Sequence, residues 1–189
     1  MLFPDLKTPR LILSRLDLSG LSDMHEYSVM EEVYKYLEFP PHKNLADTEE
    51  YLGKLMARSE LETGHYWYIK LKASDKVIGT FGIHDIDKRK RIGEVSYGVS
   101  PAFSQQGYFS EALFYVLQCC FEELEFHRIC ATTRFDNLGS IKGLKNVGFR
   151  LEGTFRDFYL SEVDGRRYDA SYLAILKNEF LEVKKNERP

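Results

Sequence analysis

The segment Glu94-Val-Ser-Tyr-Gly-Val-Ser-Pro-Ala-Phe-Ser-Gln-Gln-Gly-Tyr-Phe-Ser-Glu-Ala-Leu113 constrains the fold more than any other part of the chain, because its periodicity changes across a glycine. Val95, Tyr97 and Val99 alternate with Glu94, Ser96 and Gly98, the pattern of a strand with two unlike faces. Pro101 then lacks the N–H that a further ladder step requires. Beyond it Ala112, Leu113, Val116, Leu117, Cys120, Phe121 and Leu124 recur at helical spacings and predict a helix starting near Gly107 with one buried apolar face. The first turn of such a helix has N–H groups without helical partners, and the positive end of the dipole adds to them, so this element can hold a pyrophosphate without lysine. The same order also suits a plain tight turn before a core helix, and the local pattern does not separate the two.

Composition narrows the class. With 189 residues, 43% hydrophobic and 29% charged, the chain has the balance of one globular domain able to bury a sizeable core. No apolar run approaches the roughly 20 residues that span a bilayer. The beginning, Met-Leu-Phe-Pro-Asp, lacks the basic and apolar regions of a signal peptide, so the expected location is cytoplasmic and no membrane partner is expected. A net charge of −3 disfavours nucleic-acid binding, which draws its affinity from neutralising many phosphates. Cys119, Cys120 and Cys130 have no metal-ligand spacing and are read as reduced thiols; no metal is expected. The basic run Lys88-Arg-Lys-Arg91, behind Asp85 and Asp87, reads as a solvated hairpin turn.

The remaining pattern alternates strands and helices without a repeat or linker. Strands are expected over 10–16, 66–71, 77–84 and 128–134, and helices over 22–32, 47–62 with Asp47 as its cap, and 138–147 capped by Asn137. Residues 149–160 and 167–176 form a hairpin with Asp164-Gly165 as a two-residue turn. This is an α/β (α+β) order: one mixed, mostly antiparallel sheet of about six to seven strands with helices on both faces. The domain is expected over 1–177, with 178–189 a frayed, charged tail.

Several segments together carry a resemblance. Tyr97-Gly-Val-Ser-Pro followed by Gln106-Gly-Tyr-Phe-Ser-Glu-Ala-Leu113, then Asn137-Leu-Gly-Ser140, Asn146-Val-Gly-Phe149 and Leu151-Glu-Gly-Thr154, resemble the GNAT superfamily of acyl-CoA N-acyltransferases, and most closely its RimJ/RimL branch. Thr8-Pro-Arg-Leu-Ile-Leu13 and Tyr168-Asp169 are similar to the two ends of that branch, so the likeness covers nearly the whole chain. Two positions depart from it. Ser104 stands where the phosphate loop usually has Arg or Gln, and Phe109 stands where it usually has Gly or Ala. The backbone donors of Gln105, Gln106, Gly107, Tyr108 and Phe109 remain for the phosphates of coenzyme A. The resemblance implies that the strand before the loop and the 128–134 strand are parallel and splay into a V-shaped slot. There the pantetheine arm lies against Tyr97 and Val99 like an added strand.

The implied reaction is attack of a neutral primary amine on an acetyl thioester in a ternary complex. An alkyl ammonium with a pKa near ~10 must first lose a proton, and Glu94 is the candidate base, acting through water. Many members of the superfamily protonate the leaving sulfur with a tyrosine, but Leu144 stands at that position, which points to Ser140 instead. Asn137 caps its helix and, in the branch, also faces pantetheine. Trp67, His84, Tyr159 and Asp169 are the candidate acceptor-binding residues. By analogy the favoured acceptor is a protein N-terminal α-amine. Small amines, aminoglycosides and amino sugars compete with it, as does a noncatalytic acyl-CoA-binding scaffold, and the protein is expected to be a monomer or homodimer.

Overall fold

The computed structural model describes residues 3–186. One eight-stranded sheet runs through it in the order β1-β2-β3-β4-β5-β6-β8-β7. Its strands are β1 (Leu6–Lys7), β2 (Leu11–Arg15), β3 (Gly64–Leu71), β4 (Val77–Asp87), β5 (Ile92–Val99), β6 (Arg128–Arg134), β7 (Arg150–Leu160) and β8 (Arg167–Leu176). Seven correspond to the expected strands, and the two-residue β1 is the addition. Every pairing is antiparallel except β5 with β6.

Alternation sorts side chains onto two faces. Trp67, Ile69, Phe81 and Val95 pack with Leu113, Val116 and Leu117 of α4 (Tyr108–Gln118), with Leu144 of α5 (Leu138–Asn146) and with Phe180 of α6 (Lys177–Asn186). On the other face Tyr66 and Tyr68 pack with Met24 and Tyr27 of α1 (Leu21–Ser28) and with Leu52 and Leu55 of α3 (Leu45–Glu60). The expected single helix over 22–32 is α1 followed by a separate turn of helix, α2 (Glu31–Tyr34). The cap of α3 is also corrected. Asn44 Oδ1 accepts the Asp47 N–H at 3.1 Å and Asp47 Oδ2 accepts the Lys43 N–H at 2.8 Å, so Asn44 is the cap and Asp47 sits in the first turn, reaching back to the residue before it.

Three more features differ from expectation. The helix that begins after Gly107 widens at Cys119–Glu123 into a π turn, with the Leu124 N–H bonded to the Cys119 carbonyl at 3.0 Å. The β7–β8 hairpin closes through six residues, 161–166, instead of a two-residue turn. The Ser161 Oγ accepts the N–H groups of Val163 and Asp164, and Gly165 alone takes a positive φ, of 68°. Over 177–186 the expected frayed tail is α6, because Phe180 buries its ring against Phe114 and Phe121 at centroid distances of 5.3 and 5.4 Å. Residues 187–189 of that expected tail lie outside the described residues.

Candidate active site

The parallel pair is short. Ile92, Gly93 and Glu94 oppose Arg128, Ile129 and Cys130, after which β5 pairs with β4 alone and β6 with β8 alone. The facing backbone edges from Val95 to Val99 and from Ala131 to Arg134 are left without ladder partners, and an extended amide-bearing molecule satisfies such edges. Glu94 is the last paired residue before the strands part.

A cavity of about 470 Å³ opens at this point, between the splayed strands and the segment carrying α1, α2 and α3. Glu94, Tyr97, Asn137, Ser140, His84 and Tyr159 all line it. The basic turn beside β5 does not neutralise Glu94, because Arg91 pairs with Glu125 at 2.9 Å. Among the described residues the Glu94 carboxylate has no hydrogen bond and no ion pair. His84 lies opposite Glu94 across the β4–β5 ladder, and its Nδ1 is 2.9 Å from Asp85 Oδ2. Burial, followed by the Glu94 and Glu38 carboxylates, pushes the Tyr159 phenol well above its ordinary pKa. The strap at 36–39 lines the cavity and is tied to the end of β7 and the loop after it: Glu38 Oε1 accepts the Leu160 N–H at 3.1 Å, and the Glu38 carbonyl accepts the Glu162 N–H at 2.6 Å.

Ser140 stands at the start of α5. Asn137 Oδ1 accepts the Ser140 N–H at 3.2 Å, so the cap and the hydroxyl are held as one unit. The Ser140 Oγ is 2.6 Å from Tyr97 Oη, which reaches it across the gap from β5. Burial raises the Tyr97 phenol to about 12, with the Ser140 hydrogen bond opposing the shift. The Tyr97 ring packs against Phe81 and Phe109, at centroid distances of 5.7 and 4.3 Å.

The loop before α4 has the donors a pyrophosphate requires. Gln105 and Gly107 take positive φ of 58° and 79°, the left-handed backbone conformation from which anion-binding nests are built. Among the described residues the N–H groups of Gln105, Gln106, Gly107, Tyr108 and Phe109 have no acceptor. Phe109 is accommodated by a glycine on the next helix: a Cβ on Gly143 would lie 2.7 Å from the Phe109 ring. Arg10 was missed in the sequence. Its Nε bonds Glu111 Oε2 at 2.6 Å, its Nη1 donates to the Gln106 carbonyl at 3.0 Å, and its guanidinium lies 4.4 Å from the Tyr108 ring centroid. Burial pushes the Glu111 carboxyl up, but hydrogen bonds from Thr8 and Arg10 outweigh it and hold the pKa below its usual value. A cation that Ser104 does not supply is thus brought to the loop from the turn before β2. Its signal was the Thr8-Pro-Arg10 triplet, whose partner Glu111 is about a hundred positions away.

Two candidate acceptor residues lie elsewhere. Trp67 is 0% exposed on the α4 face, where its Nε1 donates to the Pro4 carbonyl at 2.9 Å, so it is a core residue and not a cavity wall. Asp169 Oδ1 accepts the Asp157 N–H at 2.9 Å and fastens the β7–β8 hairpin across an irregularity in its register. Leu144 is also 0% exposed, and a tyrosine at that position would have to enter the core. The three cysteines are free and buried. Among the described residues no helix is long and apolar enough to cross a membrane, and no group of three or more His, Cys, Asp or Glu is placed to hold a metal.

A strand pair that splays beside a helix start with unpartnered N–H groups is the arrangement expected of an acyl-CoA transferase, and the chain resembles such proteins as a whole. The family model of the acetyltransferase (GNAT) domain matches residues 10–150, and the chain belongs to that family of enzymes. It is 29% identical over 175 residues to the uncharacterized N-acetyltransferase p20 of Bacillus licheniformis, covering 93% of this chain and 97% of that one. Among solved structures it is similar to a GNAT-family acetyltransferase from Bacillus anthracis, with a TM-score of 0.82, 25% identity, and coverage of 93% of this chain and 100% of the other. It also shares its fold with the spermidine N-acetyltransferase of Vibrio cholerae, solved with CoA and spermine, at a TM-score of 0.77 and 19% identity over 90% of this chain and 98% of the other.

Proposed function

We propose that this protein transfers an acetyl group from acetyl-CoA to a primary amine. The observation that carries the reading is a carboxylate without a partner among the described residues, Glu94, at the point where β5 and β6 part, in the same cavity as the Ser140 hydroxyl. The residues fit the coenzyme: the free N–H groups of 105–109, the nearby Arg10 and the open strand edges match its phosphates and its amide-bearing arm. When bound, it supplies an activated acetyl thioester. Glu94 takes a proton from the incoming ammonium, directly or through water, and so creates the nucleophile. Ser140 donates its hydroxyl proton or a hydrogen bond to the sulfur as the C–S bond breaks. His84 and Tyr159 wall the acceptor side.

The favoured acceptor is a protein N-terminal α-amine, in keeping with the RimJ/RimL resemblance and a cytoplasmic location. The strap that Glu38 ties to Leu160 and Glu162 contributes Tyr36, Leu37, Glu38 and Phe39 to the wall of the cavity that Glu94 lines. An α-amine, with a pKa of about 8, releases its proton more readily than a lysine, which supports this choice. The test is acetyl-CoA with N-terminal peptides, simple diamines, aminoglycosides and amino sugars, read as thiol release and by mass spectrometry. Peptide N-terminal acetylation at the highest kcat/KM supports the reading. Preference for another amine overturns the acceptor, and coenzyme A binding without turnover on any amine overturns the enzyme.

A further inference from the structure

We propose that Tyr97 is a positioning and proton-relay residue that makes Ser140 an effective acid, and so takes over the part that a helix tyrosine plays elsewhere in the superfamily. This rests on the reading of Ser140 given above. Three observations carry it. The Tyr97 Oη and Ser140 Oγ are 2.6 Å apart, a short contact even between two hydroxyls. The pair spans the gap between β5 and α5, beyond the last β5–β6 ladder pair, and both residues line the cavity that Glu94 also lines. The Tyr97 ring packs against both Phe81 and Phe109, contacts that favour this orientation. In addition, Leu144 is packed into the core and offers no hydroxyl from the helix.

The physical reason for a pair is that an aliphatic hydroxyl alone is a weak acid. A phenol is the more acidic of the two groups, and a hydroxyl that accepts a hydrogen bond becomes a better donor itself. As the amine nitrogen bonds to the acyl carbon and the C–S bond breaks, the electron pair goes to sulfur. The Ser140 O–H proton passes to that sulfur and forms the thiol, while the Tyr97 O–H proton passes to the Ser140 oxygen. The phenolate recovers a proton from solvent. The acceptor ammonium gives up two protons in becoming an amide, one to Glu94 before attack and one to water from the nitrogen after attack. Glu94 passes its proton on to solvent and the phenolate takes one back, so one proton is released per turnover.

The test is a double-mutant cycle of Tyr97→Phe and Ser140→Ala, with kcat measured where chemistry limits. Tyr97→Phe keeps the ring that packs on Phe81 and Phe109, and calorimetry with coenzyme A confirms the folded site. Each single variant is expected to lose roughly 5- to 150-fold in kcat with little change in the KM for acetyl-CoA, as one hydrogen bond strengthened in the transition state implies. The double variant is expected to be no slower than the slower single, because the two hydroxyls act as one unit. The solvent deuterium isotope effect on kcat should shrink in Tyr97→Phe, a readout that loss of a packing contact does not move. If Ser140→Ala is slow while Tyr97→Phe keeps the parent rate and isotope effect, or if the losses multiply, the Tyr97 role is overturned and Ser140 stands. If Ser140→Ala keeps the parent rate, the reading of Ser140 falls and the relay falls with it.

Discussion

Glu94 shows at the scale of a single residue how a charge becomes chemistry. A surface carboxylate usually finds a cation, and the basic turn beside β5 places Arg91 only three positions away. Arg91 turns to Glu125 instead, leaving the Glu94 carboxylate facing the cavity. Glu94→Gln keeps the shape and a hydrogen-bonding head but cannot accept the proton, so turnover should fall by roughly 10²-fold while coenzyme A affinity is retained. Raising the pH should restore part of the rate, since free amine then forms unaided; an unchanged rate near pH 7 would return Glu94 to a structural role. Legibility at this scale was uneven for a physical reason. Glu94, Tyr97 and Ser140 lie in short motifs whose periodicity places them, whereas the Tyr97–Ser140 and Arg10–Glu111 contacts join side chains 43 and 101 positions apart. Alternation assigned Trp67 to a face of its strand but did not say which layer covers that face, so core and cavity wall looked alike.

Among the elements, the strand, loop and helix over 92–118 followed the sequence closely because their signals are local. Gly107 sits at φ 79°, where a β-branched residue is strained. Gly107→Val should therefore cost about 1–3 kcal/mol of stability and weaken coenzyme A binding by more than tenfold, about 1.4 kcal/mol, measured by denaturation and calorimetry. Gly143 is a different case. A helix-interior glycine ordinarily gains about 1 kcal/mol on replacement by alanine, yet here the new methyl meets the Phe109 ring. Gly143→Ala is expected to destabilise by about 1–3 kcal/mol, and Phe109→Leu in the same chain to recover part of that loss. The elements least legible were those fixed by distant partners. The π turn after Gln118, the six-residue hairpin loop and α6 depend on contacts that no local propensity contains.

For the whole molecule, the sheet and its two covering layers followed from the order of strands and helices, but the end of the core did not. Charged residues dominate 177–186 and hid its single ring anchor. Phe180→Ala should cost about 3–5 kcal/mol, read from urea unfolding, because it empties a site between Phe114 and Phe121. Acid should also weaken the fold through His65, which stacks on Phe3 at 4.7 Å and whose Nε2 is buried without a partner. Burial, then the charge of Arg15, pushes its pKa down from 6.5 to about 4. The unfolded chain binds this proton at the higher pH, so the contribution is complete above pH 6.5 and is lost as pH falls toward about 4. His65→Phe should flatten that part of the stability profile. The most direct measurement of the central claim is the rate of thiol release from acetyl-CoA across a panel of amines, for the parent protein and Glu94→Gln, from neutral to alkaline pH. The expected result is amine-dependent release matched mole for mole by N-acetylated product, depressed by roughly 10²-fold in Glu94→Gln at neutral pH and converging with the parent as pH rises. Binding of coenzyme A with no amine-dependent release at any pH would contradict it.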